Sequence, residues 1–425
     1  MRFNIVSFGC KVNQYESGAI AASMRDSGFE QTDEAKSSDV IIVNSCTVTG
    51  RSDEKAEKLI KSLKIRYPEK ILALIGCFAQ AFPEKADKLP ADIIIGSHGK
   101  DRLPLLIFEF LANRGQKKEI LDLPDIFEEL PFQGGKGNTR AYLKIEDGCD
   151  RCCSYCIIPA ARGRVRSRSL SSIIEETKKL ADLKHREIVL TGINLSRYGS
   201  DIGLSLCDAA EAVSQIKGIS RVRLSSLEPQ LIDNNLIERL SYNLKFCPHF
   251  HLSLQSGCSE TLKRMNRGYT AEEYNQIVEN IRNNFENVGL TTDIMVGFPG
   301  ETEEEFRQSL EFAEKIRFSK IHVFTYSQRE GTPAAELPQI NAEIKRRRYN
   351  QMSKLAMMLR EKFMESRIGF SDEIIVEKRT SPEFIMGHTK NYTPVRIYGG
   401  DAQRGKKLKI RIIGAGEGHC IGKTI

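Results

Sequence analysis

The chain has 425 residues, 40% of them hydrophobic, and a formal net charge of +7. That length exceeds one ordinary domain and predicts two or three, each with enough apolar residues for a core. No apolar run reaches membrane-spanning length, and eleven cysteines behind a start that reads as a β-strand rather than a signal peptide argue against a disulfide framework. A cytoplasmic protein is expected, with thiols that serve metal, catalysis or burial.

Up to about residue 130 the pattern is α/β. Phe3–Ser7, Val40–Asn44, Ile71–Ile75 and Ile93–Ile95 are short apolar runs. Helical patterns such as Ser17–Ser27 and Asp53–Arg66 lie between them, so a parallel sheet is expected. Cys10, Cys46 and Cys77 each fall just past a strand's end. In open α/β sheets that edge binds ligands. Gly9 and Gly76 permit the backbone turns such an approach needs. Either these three thiols converge, or they are three separate buried cysteines acting as small hydrophobes.

Gln133–Asn138 reads as a Gly-rich linker. Ala141–Glu146 then starts a strand that feeds Cys149-Asp-Arg-Cys-Cys-Ser-Tyr-Cys156, a C-x3-C-x2-C loop through Cys149, Cys153 and Cys156. Such a loop is too tight for an unstrained disulfide pairing that uses all three thiols. It can turn three soft ligands toward one point, which is how thiolates hold an iron–sulfur cluster. Three ligands leave one iron of a four-iron cluster open to a substrate. A structural zinc knuckle would want a fourth Cys or His nearby. Cys152 points elsewhere on spacing, and the nearest histidine is His185.

Arg162, Arg164, Arg166 and Arg168 follow the loop. They either contact RNA phosphates or a cofactor carboxylate, or pair with acidic helices. Strands at Glu187–Thr191, Arg221–Ser225, His249–Leu254, Thr291–Val296 and Ile321–Tyr326 alternate with helices at Ser172–Leu183, Leu204–Gln215, Gln230–Ser241, Ala271–Phe285 and Glu303–Ile316. Counting the strand before the cysteine loop, six strands fit a partial (β/α)6 barrel, too few to close as eight would. Functional groups belong at the C-terminal strand ends. There Gly192, Gly297 and Gly300 allow close backbone approach, and Asn194, Glu228 and Gln255 can bind amine, ribose and carboxylate. Asp293 either joins them or serves as a helix cap or strand-end ion pair. Lys345–Arg348 opens a helix to about Arg367 that either meets phosphate or faces solvent.

From Gly369 the period changes, with strands at Asp372–Lys378, Phe384–His388, Pro394–Ile397 and Leu408–Ile413 and no helix between. A small antiparallel β-barrel of the oligonucleotide-binding kind is expected. From Arg367 onward there are 11 Lys and Arg against 6 Asp and Glu, an excess of +5 that suits a polyanion. Phe384, Tyr392 and Tyr398 either stack on bases or pack the core. Cys152, Cys207, Cys247, Cys258 and Cys420 lack ligand spacing and read as structural.

The C-x3-C-x2-C loop and the strand-end motifs resemble the radical S-adenosylmethionine superfamily, whose open iron chelates that cofactor before reductive cleavage yields a deoxyadenosyl radical. Ser7-Phe-Gly-Cys-Lys-Val-Asn-Gln-Tyr-Glu-Ser17, Asn44-Ser-Cys-Thr-Val-Thr49 and Gly76-Cys-Phe-Ala-Gln80 resemble the three cysteine motifs of the methylthiotransferase family. Ser45 stands where Thr is more usual, and the C-terminal strands resemble a TRAM domain. The resemblance implies two [4Fe-4S] clusters, one on Cys149, Cys153 and Cys156 and an auxiliary one on Cys10, Cys46 and Cys77. It implies S-adenosylmethionine held by Gly192, Asn194, Glu228, Gln255 and Asp293. It also implies a division into residues 1–130, 139–366 and 367–425.

As partners it implies tRNA, an external electron donor and a sulfur source; the sequence does not give the oligomeric state, and a monomer is the expectation. The words Lys11-Val-Asn-Gln-Tyr15 and Cys46-Thr-Val-Thr49 resemble the branch that methylthiolates threonylcarbamoyladenosine beside the tRNA anticodon. Branches acting on isopentenyladenosine or on a ribosomal protein share the architecture. A non-catalytic RNA-binding protein with zinc sites would instead show four-ligand clusters. The chemistry accounts for such a design. The C2–H bond of adenine is unactivated and needs a radical, and a base in an anticodon loop is presented at limited unstacking cost.

Overall fold

Runs of β-branched residues define the first sheet. The computed structural model describes residues 1–132, 139–381, 383–399 and 402–425, and the expected linker at 133–138 lies outside them. Strands β1 (Arg2–Ser7), β2 (Glu30–Gln31), β3 (Val40–Ser45), β4 (Ile71–Gly76), β5 (Ile93–Ile95) and β6 (Lys117–Glu119) form a parallel sheet in the order β2-β1-β3-β4-β5-β6. Every residue of β3 and β4 is buried, as central parallel strands covered on both faces require. Helices α1 (Lys11–Asp26), α2 (Gly50–Arg66), α3 (Cys77–Ala81), α4 (Pro83–Asp87) and α5 (Leu103–Ala112) supply the cover. Phe3, Ile42, Ile75 and Phe110 pack on one side, and Ile41, Ile60, Leu74 and Phe78 on the other. Helix α1 starts more than a turn before the expected Ser17, directly after Cys10. Val12, Tyr15, Ala19 and Ile20 are all buried and carry its apolar stripe back to the cysteine.

Strands β7 (Arg140–Lys144), β10 (Glu187–Thr191), β11 (Arg221–Leu224), β13 (His249–Leu252), β14 (Gly289–Val296) and β15 (Lys320–Thr325) build the open parallel barrel. The short β8 (Glu146–Asp147) and β9 (Arg166–Ser167) pair antiparallel, and β12 (Ser226–Leu227) extends β11. The wall consists of the sheets β11-β10-β7 and β12-β13-β14-β15, which meet where Val222 bridges Phe246. While α6 (Ile158–Arg162) packs on α3, outside the wall lie α7 (Leu170–Asp182), α8 (Leu206–Gln215), α9 (Asn234–Tyr242), α10 (Ser259–Arg264), α11 (Ala271–Asn284) and α12 (Glu303–Ile316). Capping boxes at Ser205/Asp208, Thr270/Glu273 and Thr302/Glu305 fix three of the starts. Helix α9 begins later than the expected Gln230 because Pro229–Leu231 forms a 3-10 turn and Asp233 caps the helix after it. Leu143, Ile188, Leu190, Val222, Phe250 and Ile294 face these helices. The period of two therefore turns the alternate residues inward.

Helix α13 (Ala342–Glu365) leads to a closed five-stranded barrel, β16 (Ser371–Ser381), β17 (Phe384–His388), β18 (Pro394–Tyr398), β19 (Lys407–Gly416) and β20 (His419–Thr424), in the order β16-β17-β18-β20-β19. Ile374, Ile385, Val395, Ile397, Ile410 and Ile412 fill it. Strand β20 was not expected, because Gly, Lys and Thr break its apolar pattern. This barrel is seated on the parallel one. Arg221 donates to the carbonyls of His388 and Glu373, Arg223 to that of Lys390 at 2.9 Å, and Asn391 to that of Asn287 at 2.8 Å. The Tyr392 ring lies 4.9 and 4.7 Å from the Arg140 and Arg223 guanidiniums and stacks on His388 at 4.5 Å, so this ring packs the seam while Tyr398 is exposed. Among the described residues no helix is long and apolar enough to cross a membrane.

Candidate functional site

Because β1, β3 and β4 are neighbours in the sheet, the loops after their C-terminal ends lie side by side and carry Cys10, Cys46 and Cys77. Gly9 has φ +97°, and a β-carbon there would stand 2.7 Å from the Cys46 sulfur, so only glycine lets the loops close. The Ser45 hydroxyl donates to the Ile75 carbonyl at 2.7 Å, a bond Thr would make equally. Asn13, on the first turn of α1, ties the loops by donating to the carbonyls of Phe8 and Ser45, both at 2.9 Å. Its Oδ1 lies 3.9 Å from the Cys10 sulfur and accepts from Arg162 Nη2 at 2.9 Å. Arg162 Nε in turn donates to the Cys77 sulfur at 3.0 Å. Burial, and then the neighbouring Cys77, push the Cys46 thiol up to about 12. Cys10 is exposed, yet desolvation of its thiol raises it more than Arg162 lowers it.

Arg162 belongs to a buried ionic network in which Lys100, Lys144, Arg162 and Arg166 surround Glu16 and Asp147. Burial alone would raise the Glu16 carboxyl, but Arg162, Lys100 and Lys144 hold it well below the usual range. Arg168 pairs with Glu129 at 2.7 Å and Glu176 at 2.5 Å. For Arg162, Arg166 and Arg168 this favours the second reading of the run, pairing with acidic groups, over RNA contact. The side chains of Arg162, Arg166 and Arg168 are at most 5% exposed and are held by carboxylates or backbone, and only Arg164 is exposed. The chain after the loop turns back under the first sheet, where these guanidiniums meet Glu16, Asp147, Glu129 and Glu176.

In the second cysteine set, Cys153 is buried while Cys149 and Cys156 are half-buried. The turn is closed by Cys149 N–H to the Gly163 carbonyl at 2.8 Å and Cys156 N–H to that of Cys153 at 3.0 Å. Asn194 Nδ2 donates to the Cys149 sulfur at 3.5 Å, and Arg267 Nη1 to that of Cys153 at 3.2 Å. Arg267 Nη2 meets both Glu228 oxygens at 2.7 Å. Burial raises Cys149 to about 11 and Cys156 to about 12. Cys152 is exposed.

Gly192 lies against the Glu146 carboxylate, which accepts the Asn194 N–H at 2.7 Å. Burial, and then Asp147, push the Glu146 carboxyl well up, and its Oε1 has no partner. Gln255, at φ +71°, pairs its backbone with β14 and leaves a buried, unpartnered Oε1. Asp293 meets His251 Nε2 at 3.2 Å inside the barrel. The structure thus joins Asn194 and Glu228 to the cysteine loop, whereas Gln255 and Asp293 stand on the β14 side. Asn13, Glu16, Lys144 and Arg267 were missed by sequence reasoning. Asn13 lies inside a cysteine motif, while Arg267 in Met265-Asn-Arg-Gly-Tyr269 carries no spacing signal.

Cys77, Cys149 and Cys153 each have a donor on sulfur, as thiolate ligands need. The ionic network beside Cys77 has more cations than carboxylates, which suits bound anionic thiolates. Among the described residues no three of His, Cys, Asp and Glu close to the spacing of a single metal ion. A four-iron cluster is a broader body than one ion and sets its ligands further apart. The hydrogen-bond donors on the sulfurs of Cys149 and Cys153 fit an iron–sulfur group held by the Cys149–Cys156 loop.

Residues 143–313 match the Radical SAM superfamily, and residues 2–96 match Uncharacterized protein family UPF0004. With the cysteine loop at the barrel mouth, this defines a radical S-adenosylmethionine enzyme, with a [4Fe-4S] cluster and S-adenosylmethionine as its cofactors. The radical S-adenosylmethionine methyltransferase TsrM from Kitasatospora setae shares the fold, with a TM-score of 0.57 and 15% identity over 79% of this chain and 76% of that one. The threonylcarbamoyladenosine tRNA methylthiotransferase MtaB of Bacillus subtilis (strain 168) is 35% identical over 99% of this chain and 95% of its own length. The tRNA-2-methylthio-N(6)-dimethylallyladenosine synthase of Pelotomaculum thermopropionicum is 34% identical over 99% and 97%. The chain belongs to the radical S-adenosylmethionine methylthiotransferase family.

Proposed function

We propose that this enzyme acts in the cytoplasm and converts threonylcarbamoyladenosine beside the tRNA anticodon to its 2-methylthio form. In this reading residues 1–130 carry a second [4Fe-4S] cluster on Cys10, Cys46 and Cys77. Residues 139–366 carry the cofactor-cleaving cluster on Cys149, Cys153 and Cys156, and residues 367–425 bind RNA. The observation that supports it most is Arg162. It follows the Cys156 loop by less than two helical turns, yet its guanidinium touches Cys77, so the two thiol sets share one interior.

When bound, the iron–sulfur and S-adenosylmethionine pair supplies the radical chemistry that an unactivated C–H bond requires. The chain's own residues position it. Asn194 and Arg267 orient Cys149 and Cys153, and Arg267 locks Glu228 into one geometry. Gly192 lets the Glu146 carboxylate close against the backbone, and the unpartnered Oε1 of Gln255 is an acceptor ready for a cofactor donor. Asp293 is assigned to the cofactor or, as developed below, to the substrate chamber. Electrons and sulfur come from outside the chain.

The choice of nucleoside is supported by the words Lys11–Tyr15 and Cys46–Thr49. The second reading is the dimethylallyladenosine branch, which a relative of nearly equal identity favours. The deciding assay incubates reconstituted enzyme with tRNA bearing either modification and quantifies nucleosides by mass spectrometry. Product from the threonylcarbamoyl substrate alone is expected; product only from the isopentenyl substrate, or on a ribosomal protein, moves the chain to another branch. Replacing Cys149, Cys153 and Cys156 by Ala should halve the bound iron and abolish cofactor cleavage. Replacing Cys10, Cys46 and Cys77 should also halve the iron, but stop sulfur insertion while cleavage survives.

A further inference from the structure

The inner face of the parallel barrel has its own chemistry. Strand register puts Arg140, Glu187 and Arg221 in one layer and Tyr142 and Arg223 in the next; on the other sheet His251 is level with Ser226 and Thr291, His249 faces inward two residues before it, and Asp293 and His322 pair toward the C-terminal ends. Most of these groups are satisfied. Glu187 accepts from Arg140 at 2.7 Å and Arg223 at 2.9 Å, and His251 bonds Thr291 at 2.9 Å and Asp293 at 3.2 Å. The C-terminal barrel seals the far end through Tyr392. The near end stays open, with His322 exposed 6.0 Å from the His251 ring.

Lys11 enters this chamber from the first sheet's side. It begins α1 immediately after Cys10 and shares a helix face with Tyr15 and Ala19, which pack with Tyr142 of β7. Arg223, Arg140, Cys10 and Asp293 all act on its ammonium, and it acts on His249 and His322. It is half-buried and, among the described residues, has neither a hydrogen bond nor an ion pair. A half-buried cation beside other cations, with the Asp293 carboxylate already shared with His251, is a site built for an incoming anion.

We propose that this chamber receives the anionic side group of the modified adenine, with the Lys11 ammonium as the specificity-determining counter-charge and His322 as a second polar contact. The inference rests on the threonylcarbamoyl reading above and deepens it. That side group ends in a carboxylate, whereas an isopentenyl group is bare hydrocarbon and would leave Lys11 half-buried and unpaired. A site arranged to pair a charge rejects the analogue that lacks it. The neighbour of Lys11 in the chain is Cys10, so a base held here by its side group is delivered to the first cysteine set.

The test measures equilibrium binding of the full-length reconstituted enzyme to three anticodon stem-loops. One bears threonylcarbamoyladenosine, one the same group with its carboxylate converted to the neutral amide, and one unmodified adenosine. For the unaltered enzyme the amide should bind roughly tenfold to a hundredfold more weakly than the acid, the worth of one charge-assisted contact. Lys11→Met should bind acid and amide alike, and Lys11→Arg should restore the preference. An unaltered enzyme indifferent to the amide, a comparison that needs no variant, overturns the inference, as does Lys11→Met keeping the full preference. Failure of the unaltered enzyme to methylthiolate threonylcarbamoyl tRNA would instead remove the substrate reading beneath it.

Discussion

Arg162 contacts Cys77, Asn13, Glu16 and Asp147 with a side chain 1% exposed. Replacing it by Met strips a donor from buried Asn13 and a counter-charge from two buried carboxylates, and breaking a buried pair costs about 3–5 kcal/mol. Denaturant unfolding of Arg162→Met should show a loss of that order, and its iron content should fall toward that of one cluster. Arg162→Lys keeps the charge but not the planar fork, so an intermediate loss is expected. The cysteines themselves were legible in the sequence. The thiols of Cys149, Cys153 and Cys156 are close in the chain, and Cys10, Cys46 and Cys77 each end an apolar strand. The arginine run was not legible, because its partner Glu16 lies 146 residues before Arg162 and a run of charge does not name what it will meet.

At the level of elements, β19 and β20 carry the basic excess outward. Lys409 and Arg411 alternate with buried Ile410 and Ile412, and Arg411 stands opposite Lys423 on β20. Changing Lys409, Arg411 and Lys423 to Gln should weaken tRNA binding. The slope of log affinity against log salt should become shallower by about 0.7–0.9 for each phosphate no longer neutralised. An unchanged salt titration would assign tRNA to the other two parts. Deleting everything from Arg367 is a harsher change than the charge count suggests. It strips carbonyl acceptors from Arg221 and Arg223, both buried, so the parallel barrel itself should unfold more readily in thermal melts. Periodicity showed the alternating strands and capped helices. It did not show that β16–β18 are docked on buried arginines, since that contact joins segments with no shared pattern.

On the scale of the whole molecule, that docked seam is acid-sensitive. His249 and His388 are both held below the ordinary imidazole range, by burial first. Arg223 adds to this at His249, and at His388 Glu377 opposes it while Arg140 adds to it. The folded protein thus binds fewer protons there than the unfolded chain, whose histidines titrate near about 6.5. Stability is complete above that pH and declines as pH falls below it. Glu187 behaves separately. Burial opposes its ionisation, but Arg223 and Arg140 hold it at about 2, so its contribution is lost only as pH falls from the ordinary carboxylate range toward that value. Protection factors of amides in the described residues of 371–424, corrected for the intrinsic slowing of exchange in acid, should fall between pH 7 and 5.5 before those of the first sheet do; equal protection at both would refute the seam's role. The buried ionic network sets an order of assembly. Glu16 and Lys100, both from the N-terminal part, pair with each other, whereas among the described residues the one carboxylate that Lys144, Arg162 and Arg166 meet within their own part is Asp147. During synthesis the N-terminal sheet can therefore complete itself as it leaves the ribosome, and the barrel that follows must close around a finished Glu16. Made as separate chains, the first part should remain soluble alone, and the second should stay soluble only when the first is made beside it.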